Sequence, residues 1–154
     1  MRRKERAMDE SQAVTLLEEA QLGVLCTAGA DAEPYGVPLN YCYVREDNAL
    51  FFHCATEGRK MENIKSNPRI SFTVTGRNRI IPERLTTYYE SVIVSGRASL
   101  VQGDEEKALR LDQLCRHLTP GVQWQGDAGC SHLKHTAIVR IDIDSISGKK
   151  NGDV

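Results

Sequence analysis

The chain has 154 residues, enough for one domain with a core of its own and no need of staples or metals. Twenty Lys and Arg against 21 Asp and Glu leave a formal charge of −1, which supplies no overall pull toward nucleic acid or an anionic membrane, so any anion site must be local. Cys26, Cys42, Cys54, Cys115 and Cys130 are odd in number and scattered, with no CxxC among them; with no secretory leader and no run of about 18 apolar residues, they read as free thiols of a soluble cytoplasmic protein.

A single domain over 1–154 is expected, with 1–8 and 148–154 flexible or peripheral. Asp9 and Gln12 have the spacing of a capping box, and the helix they open carries Val14, Leu17 and Ala20 on one stripe. Leu22 to Thr27 reads as a strand that Ala28 to Asp31 turns back into a second, Pro34 to Val44. Pro34 and Pro38 cannot donate to a ladder, which puts that strand at an edge or against a ligand. After the turn Arg45 to Asn48 comes a third strand, Ala49 to Cys54. Thr56-Glu57-Gly58 breaks it, and Arg59-Lys60 opens a short helix closed by Asn67-Pro68.

Ile70 to Thr75 alternates as a half-buried strand, Arg77 to Arg84 reads as an exposed loop, and Tyr88 to Val101 as a long strand with a bulge or close approach at Gly96. Asp104 is placed to cap a second amphipathic helix through Leu118. Thr119 to His132 has no period and contains Trp124, either a packing residue or a ring that closes over a flat ligand. A last strand carries Ala137, Val139, Ile141 and Ile143, followed by a polar tail from Ser147 to Asp153. About six strands in hairpins with few helices make a mainly β, antiparallel protein, and closing the sheet into a small barrel would remove its edges.

Gly58-Arg59-Lys60 follows a strand and starts a helix, where a glycine, two cations and outward amides suit a phosphate; a solvated surface turn has the same composition. His53 ends an apolar strand and reads as a hydrogen-bond donor, proton carrier or cofactor neighbour, or as a satisfied core histidine. Its neighbour Cys54 should point to the opposite face, against a Cys–His nucleophile pair. Cys130, His132 and His135 have metal-like spacing but lack a second cluster, and no metal is expected. Glu90 and Ser91 carry no signal of their own.

Taken together, Pro34-Tyr35-Gly36-Val37-Pro38-Leu39-Asn40-Tyr41, Phe52-His53-Cys54-Ala55 with Gly58-Arg59-Lys60, Asn67-Pro68, and Ser91-Val92 with Gly96 resemble the pyridoxamine 5'-phosphate oxidase-like flavin-binding split barrel. The branch most similar is the nitroimidazole-resistance type, whose ending Ile146-Ser147-Gly148-Lys149 also resembles. The resemblance implies a six-stranded split barrel, a homodimer, and FMN at the subunit interface. By that resemblance Val37, Pro38, Leu39, Asn40 and Tyr41 line the isoalloxazine through their backbone, His53, Cys54 and Ala55 run beneath it, and Arg59 and Lys60 hold the phosphate.

Glu90 and Ser91 match a position of polar cofactor contacts in the oxidase branch, though with different residue types, and His53 is the implied catalytic residue. The implied activity is that of an FMN-dependent oxidoreductase passing electrons to a small planar substrate such as a nitro-aromatic. Non-catalytic flavin or haem binding, for sensing or storage, is the alternative, since relatives of the barrel also bind haem or a deazaflavin. The chain departs from true pyridoxamine phosphate oxidases in ending Gly148-Lys149-Lys150-Asn151-Gly152-Asp153-Val154, without their arginine-containing segment, so vitamin B6 synthesis is not expected.

Overall fold

The computed structural model describes residues 2–124 and 136–152. Asp9 opens the first helix, α1 (Glu10–Glu19), by accepting the Gln12 backbone N–H at 2.8 Å, and the stripe Ala13, Val14 and Leu17 is buried. The strands are β1 (Leu22–Ala28), β2 (Pro34–Asn40), β3 (Cys42–Val44), β4 (Ala49–Ala55), β5 (Arg69–Ile81), β6 (Thr86–Leu100) and β7 (Thr136–Asn151). Two further helices, α2 (Arg59–Ser66) and α3 (Asp104–Leu118), follow β4 and β6. No described helix is long and apolar enough to cross a membrane.

All strand pairings are antiparallel, in the order β2-β1-β5-β6-β7-β4-β3. The two edges, β2 and β3, are consecutive in the chain and separated only by Tyr41. One bent segment therefore supplies both edges and draws the sheet round into a split barrel. This accounts for seven strands where about six are expected: Pro34 to Val44, read as a single strand, is divided at Tyr41. That side chain is fully buried, its hydroxyl donates to the Leu17 carbonyl at 2.9 Å, and its ring meets Phe72 edge-on with centroids 4.9 Å apart. Both prolines lie on the edge strand β2, as their missing N–H groups require.

The interior is filled by inward residues of every long strand, among them Leu25, Leu50, Phe52, Phe72, Val94 and Val139, with α2 closing one end through Met61 and Ile64. A second apolar layer lies outside the barrel, where Leu111 and Leu114 of α3 cover Phe51 and Ile138. The bulge at Gly96 is present: the β6–β7 register shifts between Ser95 and Gly96, and a Cβ at Gly96 would collide with the Asp142 carbonyl.

Three local expectations are corrected. Arg77 to Arg84 is largely strand, because β5 continues to Ile81 against β6 and a two-stranded extension with water on both faces tolerates its arginines. The polar stretch from Ser147 to Asn151 is likewise strand, held by its ladder to Tyr89–Ile93 rather than by apolar burial. Helix α3 is preceded by Gly103 in the cap position with no side-chain cap, so Asp104 is the first helical residue and acts on the helix dipole only.

Candidate functional site

The three helix starts differ in charge. α1 is capped by Asp9, and α3 opens on Asp104, Glu105 and Glu106, so both carry their own negative charge at the positive end of the helix. α2 starts after Gly58 with no side-chain cap, and its first residues are Arg59 and Lys60. Gly58 has φ +112°, and a Cβ built on it would meet nothing within 4 Å; the backbone demands glycine and the space in front of it is open. The Gly58 carbonyl accepts the N–H groups of Met61 and Glu62. The amides of Arg59 and Lys60 have no acceptor among the described residues and point outward, as the first amides of a helix do.

The two cations are held differently. Arg59 folds back over the β1–β2 hairpin, its guanidinium 4.8 Å from the Tyr35 ring centroid and its Nη2 2.9 Å from Glu33 Oε2. Lys60 pairs with no carboxylate among the described residues. Burial pushes the Cys54 thiol up, and the nearby Lys60 charge pulls against it, which brings Lys60 and the end of β4 into one corner. Cys54 is half-buried with its Sγ 3.4 Å from Met61 Sδ, whereas His53 is exposed on the outer face. The two side chains diverge, and no Cys–His pair forms.

His53 and Ala55 are exposed on β4 beside this corner, and β2 approaches β4 across the split. Of the run on β2, Pro38 and Asn40 face outward, while Val37 and Leu39 pack inward against the core. Asn40 Nδ2 donates to the Gln21 carbonyl at 2.9 Å. Tyr41 is wholly internal, so with Val37 and Leu39 it can meet an outside ligand only through its main chain. An edge strand is suited to that, because alternate backbone groups of β2 point away from β1.

Glu90 and Ser91 are not brought to the same place. They pair with Lys150 and Lys149, while His53 pairs with Ile138, eleven residues away along β7, or roughly 36 Å of strand. Glu90 instead faces Leu16, Glu19 and Gly76, and Ser91 Oγ lies 3.5 Å from the Lys149 carbonyl.

Sequence reasoning missed the residues that hold α2 in place. Asn63 is buried and donates through Nδ2 to Thr27 Oγ1 at 3.0 Å, and Asn67 Nδ2 reaches the Ala28 carbonyl at 3.2 Å. With Glu33 and Tyr35 they tie the helix start to the first hairpin. An asparagine inside an otherwise apolar helical stripe is the only sequence signal for this. Trp124 is exposed, with its indole N–H donating to Thr119 Oγ1 at 2.9 Å. The cluster Cys130, His132 and His135 lies outside the described residues; among those described, no His, Cys, Asp and Glu group is arranged to hold a metal.

The donor set at the split, two cations, two unspent amides and an open glycine turn, has the chemistry of a phosphate-ester cradle, and the antiparallel barrel around it is a split barrel of the flavin-binding class. The sequence matches the pyridoxamine 5'-phosphate oxidase family over residues 9–150, and the chain belongs to that family. No protein of curated function matches it.

Among solved structures, a Bacteroides thetaiotaomicron protein provisionally assigned to 5-nitroimidazole antibiotic resistance is 21% identical, covering 93% of this chain and 85% of its own, with TM-score 0.79. An FAD-binding protein from Mesorhizobium loti is 25% identical over 96% of this chain and 98% of its own, with TM-score 0.73. An FAD- and haem-binding protein from Mycobacterium smegmatis is 18% identical over 97% of this chain and 75% of its own, with TM-score 0.79.

Proposed function

We propose that the chain binds FMN at the split of the barrel and acts as an oxidoreductase that delivers electrons from an external reductant to a small planar acceptor, such as a nitro-aromatic. The observation that carries this reading is the uncapped Gly58 turn, whose Lys60 pairs with no carboxylate among the described residues and lies near the end of β4, the strand that carries exposed His53. Lys60, the free edge of Arg59 and the first α2 amides supply charge-assisted hydrogen bonds to a phosphate. Pro38, Ala55 and the β2 backbone supply a flat wall for a ring. The flavin, when bound, supplies the electron transfer. His53 makes no hydrogen bond with a described side chain, so both ring nitrogens are available to orient a reducible substrate. A single clamp of phosphate size favours FMN over a dinucleotide flavin.

A homodimer belongs to the same reading. Leu22, Val24 and Ile93 are 58%, 39% and 46% exposed on the outer face of the sheet, and the register sets Val24 and Ile93 on either side of Thr73. A second copy covering that face would remove this apolar surface from water. It would also give Glu90 and Ser91 a route to a site that they cannot reach within their own chain. The reading includes no nucleic acid or membrane partner and places the protein in the cytoplasm, where Cys26, Cys42, Cys54 and Cys115, all unpaired, stay reduced.

The second reading, flavin or haem binding without catalysis, draws support from the FAD- and haem-binding Mycobacterium smegmatis relative. The visible spectrum of the purified protein separates flavin from haem: flavin bands support a flavin, whose release and mass tell FMN from FAD, a Soret band supports haem, and a colourless protein that FMN cannot reconstitute removes both. Enzyme and carrier are told apart by anaerobic reoxidation of the reduced protein with a nitroimidazole. His53→Ala is expected to slow that reoxidation with FMN affinity preserved; an unchanged rate removes His53 from the mechanism.

A further inference from the structure

Arg59 and Asn63 on α2 and Asn67 at its C-terminal cap follow one another at steps of four residues, so successive turns present them on one side of the helix. All three meet the β1–β2 hairpin. Arg59 stacks on Tyr35 and pairs with Glu33, Asn63 Nδ2 donates to Thr27 Oγ1 at 3.0 Å, and Asn67 Nδ2 donates to the Ala28 carbonyl at 3.2 Å. The fit at the middle contact is close: a Cβ on Gly29 would come within 2.7 Å of Asn63 Oδ1.

These contacts form a closed circuit. Thr27 is the ladder partner of Tyr35, the ring beneath the Arg59 guanidinium, and Arg59 stands one helical turn before Asn63. Asn63 and Thr27 are 8% and 5% exposed, whereas Arg59 and Glu33 are open to solvent. The buried tie is therefore the one that water does not contest, and the exposed ion pair adds little holding force of its own. Met61 and Ile64 anchor α2 in the core, but apolar contact is non-directional, whereas a hydrogen bond weakens steeply as its angle and distance depart from the ideal. A leucine at position 63 would be buried as well, yet it would leave the helix free to turn about its axis or slide along the hairpin. Either movement carries the Arg59 and Lys60 amides and the Lys60 ammonium away from a common point in front of Gly58.

We propose that Asn63 is a positioning residue for the cofactor phosphate: through Thr27 it sets the rotation and register of α2, and so the aim of the Gly58 turn, without touching the ligand. This role rests on the reading of that turn as a phosphate clamp. It makes the clamp a joint product of two elements, the helix that supplies the donors and the hairpin that aims them.

Flavin fluorescence titration of the full chain with FMN and with riboflavin tests this in Asn63→Leu, in Thr27→Val, in the two combined, and in Lys60→Ala. Asn63→Leu and Thr27→Val should each weaken FMN about 3- to 10-fold, the equivalent of one neutral hydrogen bond. Riboflavin, which has no phosphate, should bind each variant as it binds the parent. Replacing both partners by apolar groups leaves neither the amide nor the hydroxyl unmatched. The combined variant should therefore recover most of the unfolding midpoint lost in the single ones, while its FMN affinity stays low. A merely structural tie gives the opposite pattern, with FMN affinity returning as stability returns or riboflavin falling alongside FMN, and either result overturns the assignment. Unchanged FMN affinity at positions 63 and 27, with a loss in Lys60→Ala, overturns the positioning role alone. Unchanged FMN affinity in Lys60→Ala removes the phosphate reading itself, and the positioning role with it.

Discussion

Lys60→Ala separates a phosphate clamp from a solvated turn. Lys60 has no carboxylate partner among the described residues, so its whole charge is available to a ligand, whereas one edge of the Arg59 fork is taken by Glu33 at 2.9 Å. A unit charge 4 Å from a phosphate oxygen is worth about 4 kcal/mol at the effective dielectric of a protein surface. Water at this open corner solvates both partners when they are apart, which brings the net contribution to about 1.5–3 kcal/mol, the scale of a hydrogen bond to a charged group. The Kd for FMN should therefore rise roughly 10- to 150-fold, with Arg59→Ala losing less. Flavin fluorescence titration of the apoprotein measures this, and riboflavin is the internal control, since without a phosphate it should bind parent and variant alike. Equal FMN affinity in Lys60→Ala, or an equal loss for riboflavin, would refute the assignment.

Two predictions concern the scaffold. Arg110 is 8% exposed, 2.6 Å from Asp47, 2.7 Å from Glu106, and stacked 4.4 Å from the Phe51 ring centre. Arg110→Ala should cost about 2–4 kcal/mol in urea unfolding, below the fully buried range because its partners reach solvent; a loss under about 1 kcal/mol would show the network to be dispensable. On the acid side, the hydrogen bonds from Arg45 hold the Glu18 carboxyl below its ordinary 4.5. Because the folded value is the lower one, the pair stabilises fully above the ordinary value and is lost as pH falls through the folded one. Its half-exposed setting limits this to about 0.3–1 kcal/mol, and Glu18→Gln should flatten that limb of the stability–pH profile by a similar amount; an unaltered limb would remove the pair from acid unfolding.

Local chemistry was legible where one residue's own constraint decides the outcome. Asp9 can cap only a helix that begins after it, the β2 prolines can sit only on an edge, and the Gly96 site tolerates no side chain. The strand in Arg77 to Ile81 was hidden because its polarity is that of a loop, and only the opposing Thr86 to Tyr89 makes it a ladder. Ser147 to Asn151 was misread for the same reason.

At the candidate site, Gly58, Arg59, Lys60 and His53 were visible as a sequence pattern. The salt bridge from Glu33 and the hydrogen bond of Asn63 to Thr27 depend on elements meeting in space, which periodicity does not encode. The separation of Glu90 and Ser91 from His53 was equally hidden, because it is measured along β7 rather than along their own strands.

The bent segment through Tyr41 also bears on how the barrel assembles. Each half of it forms a local hairpin, β1–β2 and β3–β4, from nearby residues. Those hairpins are then joined to the rest by β5 on one side and β7 on the other, and β7, last in chain order, bridges β6 and β4. Ring closure therefore waits for the most distant pairing in the sequence, which makes the search slow relative to a fold of local contacts. Until β7 arrives, the edges of β6 and β4 that it covers stand open as templates for another chain. The hazard for this protein lies during synthesis, before the loop of strands is complete.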